Sequence, residues 1–559
     1  MIRLAAAIAA VLAASVALAG KPSVAPRSIA AAKPASAAKV APTRKSSPAT
    51  QPFTIELAKV GGYTSSVAGS TTTAAEIVAY DAGTRRAFLI NTESPTVDVV
   101  DLSNPAVPTL AGVIDVSYWG PKVNSVDVYR GKVAIAVEAA VATDAGKVVL
   151  FSAVDLQQTG PAQGISVGAM PDMVTFADEG ELLLVANEGE PAGTSCGVDP
   201  EGSVTIIELD DDHDEVKVRT ADFSAWNGRE DELRAQGVRI FGNYGCGASS
   251  AAQDLEPEYI AVDGKRAYVT LQENDAIAVI DLERAKVLSI LPLGYKDHSL
   301  AANKLDASDR DSAINIANWP VFGMYQPDGI AALRGPRGQS LLVLANEGDA
   351  RSYSALNEES RVSTLTLDPT AFPTATALKA NAALGRLTVT NRLGDTDGDG
   401  DFDRLYAFGG RSVSIRDSAG NLLWDSGDLL ERVTAAALPA NFNASNDKSA
   451  KDDRSDNKGP EPEGVVVGRV ASKTYAFIGL ERIGGVAVLD VSNPTAPAFV
   501  QYVTSRSFPA SGIAGDSGPE GLKFVSAEQS PSGKPLLLVG NETSRTLAVF
   551  EISTKAVTP

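Results

Sequence analysis

The chain has 559 residues, 44% apolar and 21% charged, with 69 acidic against 49 basic side chains and a formal charge of −20. That composition supports a large core and excludes global disorder. The charge argues against nucleic acid or anionic membrane as a partner and attracts cations. Two histidines and two cysteines exclude a multi-histidine zinc centre, a cysteine-rich zinc module, an iron–sulfur protein and a disulfide-dense scaffold.

Residues 1–19 carry one basic residue, an apolar run and the small triplet Ala17-Leu18-Ala19, the pattern of a cleaved secretory signal peptide. Residues 20–52 are rich in Ala, Pro, Ser and Lys, with six basic residues and no acid, as expected of a disordered linker. No later apolar stretch is long enough to span a bilayer. The expectation is an exported protein, periplasmic or extracellular, soluble and without a membrane span. A single domain is expected over 53–553, followed by a tail at 554–559.

From residue 53 the sequence is a repeat of short strands. The run Phe53–Val60 has no partner near it in sequence. Then a unit recurs: a turn, an apolar strand, a polar gap, and a strand ending in Glu. Strong copies begin at Met170-Pro171-Asp172, Glu256-Pro257-Glu258, Gln326-Pro327-Asp328, Glu461-Pro462-Glu463 and Gly518-Pro519-Glu520. Weaker copies begin near Glu76 and Asn124, and a degenerate one spans 386–417. Most units continue into a third and a fourth strand. Antiparallel four-stranded units repeated radially make an all-β β-propeller. The count favours eight blades, with seven the alternative. The last unit stops after three strands, so the run at 53 is expected to supply the fourth and close the ring. One helix is expected near Ser224–Gln236. Cys196 and Cys246 sit in loop-like sequence and would pair in an oxidising compartment.

In each strong unit an acid opens the first strand and another closes the second. Antiparallel pairing puts both at the same end of the blade. The pairs are Asp172/Glu188, Glu258/Glu273, Asp328/Glu347, Glu463/Glu481 and Glu520/Glu542, with Glu76/Glu93 and Asn124/Glu138 looser. Closing the ring gathers these carboxylates at one mouth of the channel. Like charges about 4 Å apart repel by about 4 kcal/mol at an effective dielectric near 20, so such a ring must bind cations, take up protons or pair with bases. Oxygen donors with scarce histidine favour calcium or magnesium over zinc. The plain alternative is that these acids accept backbone N–H bonds at strand ends. Arg351, Arg411, Arg482 and Arg545 follow second strands and would project near the same mouth, either to hold an anion or simply to balance charge.

Residues 394–403 carry Asp395, Asp397, Asp399, Asp401 and Asp403 with Gly400 at the sixth position from Asp395. That opening matches a short calcium loop, but position twelve is Tyr406, so it is not an EF-hand. Softer cation candidates are Asp306/Asp309/Asp311 and Asp452/Asp453/Asp456.

The runs MPDMVTF, LLLVANEGEP, LPLGYKDHSL, NKLDASDRDSAINIANWPVFGMYQPDGI, LANEGDARSY, GDTDGDGDFDRLYAFGGRS and GPEPEGV together resemble the choice-of-anchor I family. That family includes mesenchyme-specific cell surface glycoproteins and bacterial proteins labelled as alkaline phosphatases. The resemblance covers about 53–553 and implies a secreted or surface propeller associated with calcium.

Two functions follow. One is a calcium-dependent, alkaline-phosphatase-like phosphoesterase that takes a small phosphorylated or anionic substrate through its metal, with a second divalent metal as an option. Its candidate catalytic residues are Glu188, Glu273, Glu347, Arg351 and Arg482. Asp172, Glu258, Asp328, Glu463, Glu481, Glu520 and Glu542 would hold metal, with Lys296 and His298 as helpers. The other is a non-catalytic propeller that binds mineral, polysaccharide or protein. A lactonase-like metal hydrolase is the weaker alternative.

Overall fold

The computed structural model describes residues 53–557 apart from 68–72, 93, 192–197, 210–215, 244–246 and 354–355. The signal segment, the linker, Glu93, Cys196 and Cys246 lie outside the described residues.

The described chain is a β-propeller. Blade 1 consists of Val78–Asp81, Arg86–Asn91, Thr96–Asp101 and Thr109–Asp115. Blade 2 has Lys122–Tyr129, Lys132–Glu138, Ala145–Ser152 and Ile165–Ala169. Blade 3 has Pro171–Ala177, Leu182–Asn187, Ser203–Leu209 and Val216–Asp222. Blade 4 has Ile260–Asp263, Arg266–Leu271, Ala276–Asp281 and Lys286–Pro292. Blade 5 has Ile330–Arg334, Ser340–Asn346, Ser412–Asp417 and Leu422–Asp425. Blade 6 has Pro462–Val470, Lys473–Leu480, Val486–Asp490 and Ala498–Val503. Blade 7 has Pro519–Val525, Leu536–Asn541 and Thr546–Ala556, completed by Phe53–Thr64. The first strands touch in cyclic order, blade 1 against 2 and so on round to blade 7 against 1.

The ring therefore has seven blades, not the favoured eight. The degenerate copy at 386–417 is split between two sheets. Ser412–Asp417 is the third strand of blade 5, paired with Ser340–Asn346. Thr388–Thr390 belongs to a side sheet with Tyr295–Asp297, Phe322–Met324, Glu359–Arg361 and Tyr406–Ala407. That side sheet has its own apolar core, built from Leu305, Val321, Val362, Leu384, Val389 and Leu405. A local run with strand character can satisfy its backbone there without making a blade.

The second and third strands are nearly continuous apolar runs because neighbouring blades cover both faces. Each of the seven interfaces between blades carries its own buried cluster. Fourth strands face solvent, as the exposure of most of Thr109–Asp115 illustrates. The expected helix forms over Glu230–Gln236.

Closure is the expected one. Phe53–Thr64 pairs antiparallel with Thr546–Ala556, from Phe53 opposite Ala556 to Thr64 opposite Thr546. The last strand thus runs to Ala556, into the stretch expected as a tail from residue 554. The register shifts between Lys59 and Gly61. A Cβ at Gly61 would lie 2.1 Å from the carbonyl oxygen of Pro105, so the Asn104-Pro105 turn of blade 1 can approach only a glycine there.

Leu57 lies in the closing strand at 3% exposure, within the core between blades 6 and 7. Leu57→Ala should lower unfolding free energy by about 2–5 kcal/mol in a denaturant titration, while exposed Glu56→Ala should change it by about 1 kcal/mol or less.

Candidate functional site

Each first strand begins at the same mouth. In blades 3, 5, 6 and 7 the residue before its proline accepts the backbone N–H of the acid, or the residue after it, at the end of the second strand. The bonds are Glu188 to Met170 (2.9 Å), Gly348 to Gln326 (3.0 Å), Glu481 to Glu461 (2.8 Å) and Glu542 to Gly518 (2.7 Å). They hold the two acids of a pair side by side. Met170, Gln326 and Glu461 adopt positive φ to do this, at 47°, 42° and 52°. Strain of this kind is retained where the surrounding structure enforces it.

A second device draws the blades together. The acids Asp328, Glu463 and Glu520 are each followed by glycine. A Cβ at Gly329 would sit 2.5 Å from the Glu463 carbonyl, at Gly464 2.0 Å from the Glu520 carbonyl, and at Gly521 2.5 Å from the Glu76 carbonyl. Each acid's backbone therefore presses on the glycine of the preceding blade, and the acids crowd at the mouth.

The result is a central cavity of about 660 Å³. Glu76, Asn124, Asp172, Glu258, Asp328 and Glu520 line it at the acidic end, joined by Glu188 and Glu273 from second strands. Glu190 and Asp349 also line it. They were missed in the sequence, although Glu188-Gly189-Glu190 and Glu347-Gly348-Asp349 repeat the same acid-Gly-acid pattern. Beyond the acids the wall turns apolar with Val174, Phe176, Ile260, Ile330, Val465 and Phe524.

Compensation around the mouth is uneven. Lys458, buried and carried by the long segment after the helix Leu429–Ala437, places Nζ 2.6 Å from Glu347 and 3.3 Å from Glu461. Arg454 pairs with Glu461 at 2.7 Å, and Arg482 with Glu461 at 3.1 Å and Glu481 at 2.9 Å. Burial alone would raise the Glu461 carboxyl, but Lys458, Arg454 and Arg482 hold it at about 2. Asn446 donates to Glu481 (2.8 Å) and Gln272 to Glu347 (2.8 Å). On the opposite side Lys122 lies 3.5 Å from Glu138.

Between these two groups the carboxylates lack such help. Glu258, Glu273, Asp328 and Glu463 each keep one buried carboxylate oxygen with no hydrogen-bond partner among the described residues. Glu258 and Asp328 are only 8% exposed, and Glu273 5%. Burial first, and neighbouring acids second, push Glu258, Asp328 and Glu463 well above the usual carboxylate range. Burial pushes Glu273 up to about 7, Asp172 to about 6 and Glu481 to about 8. Glu188 is also raised well above its ordinary value by burial and then Glu190. Carboxyl oxygens of Glu347, Glu463 and Glu481 come within 4.8 Å of one another, as do those of Glu76, Glu520 and Glu542. Among the described donors this is an oxygen-only set, of the kind that suits a hard divalent cation.

Other candidates fall elsewhere. Arg351 is fully buried and pairs with Glu256 (2.9 Å), marked in the sequence only as the start of a repeat, and with Asp254 (3.6 Å). Lys296 donates to the Gly410 and Gly427 carbonyls and pairs with Asp425 at 3.0 Å. Arg411 pairs with Glu431 at 2.7 Å. His298 is buried, its Nδ1 2.7 Å from the Asn303 carbonyl, and burial holds its pKa well below the usual value. Lys296 and His298 do not line the central cavity.

The Asp-rich loop lies on the exposed surface. Its carboxylates mostly close local turns: Asp395 accepts from Gly398 and Gly400, and Asp403 from Thr396. Asp395, Asp397 and Asp403 have carboxyl oxygens within 4.8 Å of one another, and so do Asp368, Asp401 and Asp403. Asp368 is new. The Asp368 N–H bond to the Phe402 carbonyl (3.1 Å) brings it there from outside the loop. Asp399 joins neither group.

Arg351→Met should leave Asp254 and Glu256 buried without their cation and cost about 3–5 kcal/mol of stability. Denaturant unfolding checks this, and adding Glu256→Gln should recover part of the loss.

The model for the choice-of-anchor I domain matches residues 76–494. Gigasin-3a of Magallana gigas is 29% identical over 191 residues, covering 32% of this chain and 67% of that protein. The mesenchyme-specific cell surface glycoprotein of Strongylocentrotus purpuratus is 30% identical over 283 residues, covering 44% of this chain but only 36% of that protein. Among solved structures, hydrazine synthase of Kuenenia stuttgartiensis aligns at 12% identity over 88% of this chain and 99% of that one, with a TM-score of 0.44. The Swd1 β-propeller domain of Myceliophteria thermophila aligns at 9% identity over 91% of this chain and 100% of that one, with a TM-score of 0.39. Among the described residues no helix is long and apolar enough to cross a membrane.

Proposed function

This chain belongs to the choice-of-anchor I family, and on that footing we propose that it is an exported propeller that holds divalent cations, calcium foremost, in its acidic mouth and hydrolyses small phosphate esters there. The observation that supports this most is the set of unpartnered buried oxygens on Glu258, Asp328 and Glu463. Buried polar groups left unmatched are costly, and a bound cation removes that cost. The exposed Asp395, Asp397 and Asp403 group, with Asp368 and Asp401 beside it, is a second, peripheral calcium site in this reading.

Bound cations supply Lewis acidity and the positive charge that an anionic ester needs in a mouth this acidic. Asp328, Glu258 and Glu463 would hold them. Glu273 lines the cavity, and it accepts a proton from the attacking water and returns it to the leaving oxygen as the P–O ester bond breaks. The apolar wall below receives the organic group of the ester. Arg351 and Arg482 are engaged by Glu256, Asp254, Glu461 and Glu481, so phosphoryl charge falls to the cations.

Phosphate release from p-nitrophenyl phosphate by the mature chain tests this, with calcium, after chelation and after calcium is restored. Glu273→Gln should lower kcat by about 10²–10⁴ with calcium binding retained. Asp328→Asn should raise the calcium concentration needed for half-maximal rate. No turnover by the folded, calcium-loaded chain overturns the hydrolase and leaves the second reading, a non-catalytic binding propeller. The engagement of both arginines favours that second reading.

A further inference from the structure

A second cavity, of about 300 Å³, shares no lining residue with the central one. One wall comes from the segment that follows the helix Glu230–Gln236. The other comes from Tyr295 in the side sheet and from Arg392 and Leu393, just after the side-sheet strand Thr388–Thr390. Neither wall contains a blade strand. Connections of this kind, held on a rigid scaffold, are where binding sites concentrate.

Local contacts fix both walls. Gly237 ends the helix in the left-handed region, at φ 101°. The Arg239 N–H then donates to the Asn274 carbonyl, and the Asn274 side-chain amide donates back to the Arg239 carbonyl, both at 2.8 Å. The Phe241 ring centre lies 5.0 Å from the Arg239 guanidinium carbon and 4.8 Å from that of Arg351. Opposite, the Tyr295 ring packs on Tyr406 with 4.7 Å between centroids. Val238, Ile240 and Leu393 add aliphatic surface to these rings.

The charge in this cavity is of one sign. Arg234, Arg239 and Arg392 line it, and among the described residues no acid does. Two of the three charges are answered, since Arg234 pairs with Asp231 at 2.7 Å and Arg239 with buried Glu358. Arg239 is 5% exposed; Glu358 and the Glu273 carbonyl take its terminal nitrogens, and its Nε has no partner among the described residues. Arg392 is exposed and makes no ion pair or side-chain hydrogen bond among the described residues. One positive charge is thus left over, in a chain whose formal charge is −20. The Tyr295 hydroxyl has no hydrogen-bond partner among the described residues either. Burial, then Asp275, push it up to about 12, so it is a donor at neutral pH.

We propose that this cavity binds a small aromatic carboxylate. One unmatched guanidinium calls for a monoanion, and a carboxylate fits its planar fork. Arg392 takes the carboxylate, the Tyr295 hydroxyl adds a neutral donor, and the ligand's ring lies against Phe241 and the aliphatic side chains. A phosphate dianion would bring a second charge with no base to meet it. A volume of about 300 Å³ is at the small end of ligand pockets and suits one or two fused rings. The site uses none of the acids of the mouth, so it stands apart from the hydrolase reading.

Titration of the mature chain with 2-naphthoate, followed by calorimetry, tests this. Saturable one-to-one binding is expected with a Kd of about 1 mM or below, as ligands of this size reach. Arg392→Met, at an exposed position, should weaken it about tenfold or more, and Arg392→Lys by less. The uncharged 2-naphthylmethanol should bind about tenfold or more weakly than the carboxylate. Chelating calcium should leave the affinity unchanged, whatever the mouth does; an affinity lost on chelation would put the ligand on a cation and overturn the proposal. So would the absence of saturable binding at several millimolar, equal binding by Arg392→Met, or equal binding of the alcohol.

Discussion

The inner ring of first strands sets the rest of the molecule. Seven strands meet around one axis, and at blades 5, 6 and 7 only glycine lets the next blade's acid carbonyl come within reach. Close backbone approach is a steric matter and indifferent to charge. It nevertheless brings Asp328, Glu463, Glu520 and Glu76 to one mouth, where their mutual repulsion must be answered. The covering loops, the buried bases and the unmatched oxygens all follow from that demand.

The answer is lopsided. The segment before blade 6 delivers Arg454 and Lys458 to Glu461 and Glu347, and Arg482 adds to them. Lys122 serves the opposite side. Between them, Glu258, Glu273, Asp328 and Glu463 each keep a buried carboxylate oxygen with no hydrogen-bond partner among the described residues. Protein-supplied cations thus occupy only part of the ring. Outside the ring Arg386 likewise neutralises Asp309 and Asp456.

The insertion between the second and third strands of blade 5 contributes strands to the side sheet, shares that sheet's core with Leu305 and Val321 from before blade 5, and carries the Asp-rich loop and Arg351. Arg351 reaches back to Asp254 and Glu256 next to blade 4. That buried pair ties the insertion to the propeller at the side of the mouth where Glu258 and Glu273 lie.

Much of this architecture is readable from residue order alone. A strand's pairing is local: a proline turn, an alternating or apolar run and a terminal acid suffice to mark a hairpin, and two acids on antiparallel neighbours must share an end. The partnerless run at Phe53 called for closure with the last strand for the same reason. Blade number was not readable in this way, because Thr388–Thr390 and Ser412–Asp417 look alike as isolated strands and differ only in which distant strand covers them. Nor were the roles of the charged side chains. Arg351 and Arg482 follow second strands as if free to meet a ligand, yet Glu256 and Glu461 hold them. Lys458 and Asp368 gave no signal, since Glu347 and Phe402, which place them, lie far away in sequence. Hydrogen-bonded strand pairs between neighbours are written into periodicity. Charge compensation depends on how segments far apart in sequence pack together, and only the folded chain brings those together.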